Sequence, residues 1–190
     1  MVRKVTYDDE IEINGIKFAI NNGPGYGCWV EIIEGFARRL DSMLSYHNKV
    51  LCFRVDLKVY EYSNENLQIR QLFNKLNQRK SGKLNLKRIA HQWVREVETS
   101  KKQHYHVWVM VDGNRLKSPF KLLTLIQTIW ENMGHPTPTM PSKPTYVVRR
   151  DDRASYADVI QRASYDAKKR GKGYKAKSAK NFGGSRIRIK

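Results

Sequence analysis

The stretch Gln103-His104-Tyr105-His106-Val107-Trp108-Val109-Met110-Val111 alternates in the two-residue period of a β-strand. Successive strand side chains point to opposite faces, so His104 and His106 share one face, while Tyr105, Val107, Val109 and Val111 share the other. The run before it, Gln92-Trp93-Val94-Arg95-Glu96-Val97-Glu98, has the same period, and the short segment between the two suits a hairpin loop. A turn centred near Lys101 would set Glu98 opposite His104 and Glu96 opposite His106. A lone His-x-His is more often a pair of solvated or hydrogen-bonded histidines than a metal site. A carboxylate in matching register changes that balance, because two imidazoles and a carboxylate on rigid strands can hold a divalent cation and leave coordination positions open.

Working outward, residues 50–60 alternate cleanly: Leu51, Phe53, Val55, Leu57 and Val59 on one face, Cys52, Arg54, Asp56 and Lys58 on the other. Residues 64–79 have helical apolar spacing, with Ser81-Gly82 as a stop. Ser118-Pro119 opens a helix through residues 121–133, residues 134–144 hold four prolines and form a connector, and 146–148 make a short last strand. Asp151 or Asp152 then caps a helix over 154–169. From residue 50 the order is strand, helix, strand, strand, helix, strand, helix. This predicts an α+β fold, a split βαβ (ferredoxin-like) antiparallel sheet with two helices on one face, the other face bare, and a C-terminal helix after it. The bare face would carry Arg54, Asp56, Lys58, Glu96, Glu98, His104 and His106. With only Trp108 as an aromatic there, a base-stacking RNA module fits less well.

Ahead of this unit, Asn14-Gly15 marks a hairpin over residues 7–20, residues 21–27 form a glycine-rich loop, and residues 29–47 carry the apolar stripe of a helix that packs on the sheet. The domain division is 1–48 as an extension, 49–170 as the main unit, and 171–190 as a basic tail. The chain has 36 Lys and Arg against 18 Asp and Glu, a net charge of +18. Residues 1–48 are net −2 and residues 49–190 net +20, so the basic field that would attract nucleic acid belongs to the His-containing part. Cys28 and Cys52 have no metal-ligand spacing and fit a reduced, cytoplasmic protein. No run is apolar enough to span a bilayer, and no Gly-x-x-x-x-Gly-Lys-Ser/Thr is present to power a helicase.

With the paired strands, the upstream carboxylate and the element order in place, the chain resembles the HUH endonucleases, most closely the rolling-circle replication initiators of filamentous phages and prophages. His104-Tyr105-His106 is similar to their metal motif, with Glu96 as the carboxylate from the neighbouring strand. Ala163-Ser164-Tyr165-Asp166-Ala167-Lys168 looks like their tyrosine motif, and Arg54-Val55-Asp56-Leu57 resembles their first, least specific one. The likeness covers about residues 49–186, including Phe182-Gly183-Gly184-Ser185-Arg186. It departs at Asp166, where these relatives commonly carry an apolar residue, and residues 1–48 match nothing in it.

The resemblance implies a Mg²⁺- or Mn²⁺-dependent nicking and joining of single-stranded DNA or an origin hairpin in a bacterial host cell. Tyr165 would be the nucleophile and Lys168 the residue that positions the phosphate, and host helicase and polymerase would be partners. Arg54, Lys58, Lys169, Arg170 and Lys172 are the expected DNA contacts. Tyr156 and Tyr165, nine apart, point to opposite sides of a helix at about 100° per residue, so they cannot act as a pair. Lys168 and Lys169 flank the Tyr165 side. A phenol with a pKa of about 10 needs a nearby ammonium and a polarised phosphate to attack. From Lys168 onward there are ten Lys or Arg and no acid, either a solvated tail or an arm on phosphates. A plasmid relaxase, a single-strand transposase and a non-cutting basic DNA- or RNA-binding regulator remain alternatives.

Overall fold

A computed structural model of the chain describes residues 3–23, 25–80, 82, 84–97, 103–170, 172 and 179–190. In chain order the elements are β1 (Val5–Thr6), β2 (Glu10–Ile13), β3 (Ile16–Ala19), β4 (Cys28–Trp29), α1 (Val30–Tyr46), β5 (Lys49–Lys58) and α2 (Leu67–Arg79). There follow β6 (Ile89–Val97), β7 (Gln103–Asp112), α3 (Phe120–Glu131), β8 (Thr145–Arg149), α4 (Arg153–Ser164), a 3₁₀ turn (Tyr165–Ala167) and β9 (Phe182–Gly184). The main sheet is antiparallel at every pairing, in the order β8-β5-β7-β6-β9. The fold is α+β. Among the described residues no helix is long and apolar enough to cross a membrane.

The alternation in β5 and β7 sets where the two cores lie. Leu51, Phe53, Val55 and Leu57 join Tyr105, Val107, Val109 and Val111 in a core closed by Ile69, Leu72, Phe73 and Leu76 of α2 and by Leu122, Ile126, Ile129 and Trp130 of α3. This is the expected two-helix face. The opposite face is not bare, which corrects the expectation that helices cover one side only. Ile32, Ile33, Phe36, Leu40 and Met43 of α1, with Val159, Ile160 and Ala163 of α4, pack on Cys52, Ala90, Val94, Trp108, Met110 and Val148. The cause is in α1 itself: its apolar stripe must leave water, at about 1.5–3 kcal/mol for each large side chain fully buried, and the sheet offers the surface.

Hairpin β2–β3 closes through Asn14 and Gly15, both at positive φ as a two-residue turn requires, and its Ile11, Ile13 and Phe18 extend this second core. Helix α4 is capped by Asp152, whose carboxylate accepts the Ser155 amide at 3.1 Å. It ends at Ser164, short of the expected residue 169.

The expected basic tail is in part an edge of the sheet. β9 pairs with β6, Gln92 opposite Gly184 and Trp93 opposite Gly183. Glycine is used here for close approach, since a Cβ on Gly183 would lie 2.5 Å from the Trp93 ring. Beyond β9 the chain runs along α1: Ser42 Oγ donates to the Ile187 carbonyl at 3.0 Å, and the Lys190 amide donates to Ser45 Oγ at 2.9 Å.

Candidate metal centre and tyrosine

His104 and His106 stand on β7 on the same face as Trp108 and Met110, beyond the part that α1 covers. The β6–β7 register differs from the expected one by two residues: Glu96 stands opposite His104, and Val94 opposite His106. Glu96 still points to the histidine face, because a shift of two preserves the pleat. Glu98, the other candidate carboxylate, lies outside the described residues.

Glu96 Oε2 lies 3.2 Å from His106 Nε2 and 3.6 Å from His104 Nε2. One ligand atom from each of Glu96, His104 and His106 falls within 4.8 Å of the others, and all three side chains are only partly buried. His106 is oriented from behind by Asp56 of β5, directly opposite it in the sheet, whose Oδ1 is 2.7 Å from His106 Nδ1. That partner assigns the Nδ1 proton to the Asp56 bond and leaves Nε2 aimed at Glu96, which is how a carboxylate behind a metal-ligating histidine sets its tautomer. Arg54 Nη2 also lies close to His106 Nδ1, at 2.6 Å. Burial opposes charge on His106, but hydrogen bonds to Asp56 and Glu96 push its pKa up to about 9. Burial likewise opposes ionisation of Glu96, yet hydrogen bonds from His104 and His106 and the charge of Lys172 hold it far below the usual carboxylate range. The donor set of two imidazole nitrogens and one ionised carboxylate fits a small divalent cation, with Asp56 as the supporting carboxylate.

One step along the strands lies a buried ion pair that the sequence did not announce. Asp166 is 1 % exposed. Its Oδ2 accepts the Trp108 indole N–H at 2.8 Å, and its Oδ1 is 2.8 Å from Arg54 Nη1, a charge contact off the line of an aligned hydrogen bond. Arg54 and Trp108 are themselves opposite each other in the β5–β7 register. Asp166, the departure from the tyrosine motif, therefore anchors the 3₁₀ turn to the row next to Asp56 and His106. The available signal was an acid where an apolar residue was expected, with a charged strand residue and an indole able to receive it.

Tyr165 sits at the start of that turn, 44 % exposed, and the Lys168 ammonium lies 4.1 Å from its ring centre. Lys168 itself is no longer helical, with φ −52° and ψ 136°, so its approach to Tyr165 comes from the turn and not from helical spacing. Four residues on, Lys172 Nζ reaches Glu96 Oε1 at 2.8 Å and also donates to the Lys168 carbonyl. Asp166 thus reaches the Arg54–Trp108 row and Lys172 reaches Glu96. Tyr156 belongs elsewhere: its hydroxyl donates to Asp41 Oδ1 at 2.8 Å and its ring lies 5.3 Å from Phe18. Burial and the Asp41 charge raise its pKa.

Two expected DNA contacts are corrected. Arg54 is 4 % exposed and committed to Asp56 and Asp166, and Lys172 is 3 % exposed and committed to Glu96. Lys58, Lys169 and Arg170 are exposed, as a phosphate contact requires.

Fold and site together define an α+β protein with a His-His-Glu centre of metal-binding type beside a tyrosine-bearing turn. The family model of the YagK/YfjJ C-terminal domain matches residues 13–185, and the chain belongs to that family. The matched stretch takes in α1 as well as the main sheet. No curated protein and no solved structure matches the chain.

Proposed function

We propose that the protein is a metal-dependent nickase and strand transferase for single-stranded DNA, acting at an origin to start rolling-circle replication. The observation that carries this reading is the convergence on one sheet face of Glu96, His104 and His106 with the turn that bears Tyr165 and Lys168. The strand order β8-β5-β7-β6, which a split βαβ unit would have, agrees with it.

His104, His106 and Glu96 would hold Mg²⁺ or Mn²⁺, which when bound supplies Lewis-acid polarisation of a phosphoryl oxygen. Tyr165 would provide the nucleophile. Its oxygen forms a bond to phosphorus as the P–O3′ bond breaks, leaving a 5′-phosphotyrosine and, once the departing oxygen takes a proton, a free 3′-hydroxyl that a polymerase can extend. The phenolic proton passes to solvent. Lys168, over the ring, favours the phenolate and the charge developing on the phosphate. Reversal of the same step rejoins the strand. Asp166, held by Arg54 and Trp108, fixes the turn so that Tyr165 keeps its place, and Asp56 holds His106.

The test is a denaturing gel of the protein with a labelled single strand from the DNA beside its gene and Mn²⁺, scoring the covalently shifted band. Wild type and Tyr156→Phe are expected to form it. Tyr165→Phe and His106→Ala are expected to lose it, with salt-sensitive DNA binding retained in His106→Ala. A band that survives in Tyr165→Phe overturns the nucleophile, and full activity in excess chelator overturns the metal. DNA binding without any band would leave the non-cutting regulator.

A further inference from the structure

The described residues of the glycine-rich loop, 21–23 and 25–27, lie against the tyrosine turn. Lys168 forms an isolated antiparallel bridge with Cys28, the Lys169 amide donates to the Gly27 carbonyl at 2.9 Å, and the Asn21 amide donates to Ser164 Oγ at 2.7 Å. The loop is therefore fastened to the turn at both ends. Between those fastenings Tyr26 is 43 % exposed, close to the 44 % of Tyr165. One ammonium serves both rings: Lys168 Nζ is 5.6 Å from the Tyr26 ring centre and 4.1 Å from that of Tyr165. Gly23, at φ +65°, makes room for this, since a Cβ there would meet the Tyr26 ring at 3.3 Å and Lys168 Nζ at 3.5 Å.

A single exposed aromatic residue is ordinary. Two half-exposed rings that share one ammonium, beside a turn with a phosphate-directed role, form an arrangement with a ligand chemistry of its own. A nucleotide offers an aromatic face for a ring and an anion for the cation that the rings share. We propose that Tyr26 is a stacking platform for a nucleobase of single-stranded DNA next to the phosphate that Lys168 contacts, so that this ring is part of the substrate site. This rests on the proposed nicking function for the direction of the strand, but it concerns binding, which can be read without cleavage. The ring is what the platform needs; the hydroxyl has no part in it.

The experiment measures anisotropy of a labelled oligothymidylate of about twelve nucleotides, a length within the range of single-strand binding sites, with full-length protein in excess chelator. Tyr26→Leu is expected to bind roughly tenfold more weakly, the loss of one base–aromatic stack, and Tyr26→Phe to restore wild-type affinity. The exposed ring should leave the melting temperature of both variants at the wild-type value. An abasic nucleotide walked along the strand should weaken wild type at one position and leave Tyr26→Leu unaffected at that same position, the mark of a shared contact.

Equal binding by Tyr26→Leu and wild type overturns the platform. A loss in Tyr26→Phe as large as in Tyr26→Leu also overturns it, assigning the effect to the hydroxyl. So does failure of wild type to hold the strand. If no covalent band forms under any condition while the Tyr26→Leu loss stands, the nicking reading falls and the platform remains. If the band forms and Tyr26→Leu binds normally, the platform alone falls.

Discussion

Asp166 carries the placement of Tyr165, and its chemistry explains why an acid occupies a position that the resemblance would give to an apolar side chain. A buried carboxylate is tolerated only with partners, and Asp166 has two, the Arg54 guanidinium and the Trp108 indole N–H. Arg54 in turn is buried with Asp56 and Asp166 as its acids. Asp166→Asn keeps an oxygen for the indole but removes one of the two negative charges facing the guanidinium. Breaking one side of a buried pair costs about 3–5 kcal/mol, and the retained Asp56 places this variant near the lower figure. The expected outcome is a denaturation midpoint clearly below wild type together with a weaker covalent band, whereas Tyr165→Phe should lose the band with little change in midpoint. An Asp166→Asn protein that unfolds like wild type would show that the ion pair does not hold the turn.

At the scale of elements, the sequence was informative wherever one period ran uninterrupted. The alternation in β5 and β7 placed Leu51, Phe53, Val55, Leu57, Tyr105, Val107, Val109 and Val111 in the core beneath α2 and α3, and His104, His106 and Glu96 on a common face, but it left Cys52 and Trp108, which α1 and α4 cover, on a face expected to be bare. The register of β6 against β7 was not legible, because it depends on the length of the connection rather than on the period, and a shift of two residues leaves the pattern of faces unchanged. β9 escaped because Phe182-Gly183-Gly184 contains two glycines, a residue depleted in strands, used here to let the backbone approach Trp93. The end of α4 escaped because Asp166 is drawn out of the helix by strand partners, a tertiary effect that local propensity does not contain. The same element logic separates the basic residues. Lys169→Ala removes an exposed charge and should lower the slope of log affinity against log salt by roughly 0.7 for single-stranded DNA. Lys172→Met removes a cation whose side chain is 0 % exposed and paired with Glu96, and should leave that slope unchanged. A salt titration of oligonucleotide binding checks both, and a fall in slope for Lys172→Met alone would reverse the assignment.

For the whole molecule, the decisive point is that the sheet has a core on each face and that residues before 49 build much of the second. The amphipathic stripe of α1 was plain in the sequence and demanded a sheet surface; the expectation of a bare face and the packing of α1 could not both hold. What composition could not show is that this packing bears on the site. Phe36 of α1 is 1 % exposed and meets Trp108 edge to face at 5.3 Å, and the same indole holds Asp166. Phe36→Ala should cost about 3–5 kcal/mol as a buried aromatic truncation, and should also reduce the covalent band under conditions where the protein is still folded, because the indole loses the wall that fixes it. Phe73→Ala provides the comparison: it empties a similar volume in the other core, beneath α2, and should destabilise comparably without reaching the Asp166 anchor. Band intensity for the two variants, measured well below their melting temperatures, separates the cases. A selective loss in Phe36→Ala ties the N-terminal segment to the chemistry through Trp108, and equal losses would mean that α1 contributes stability alone.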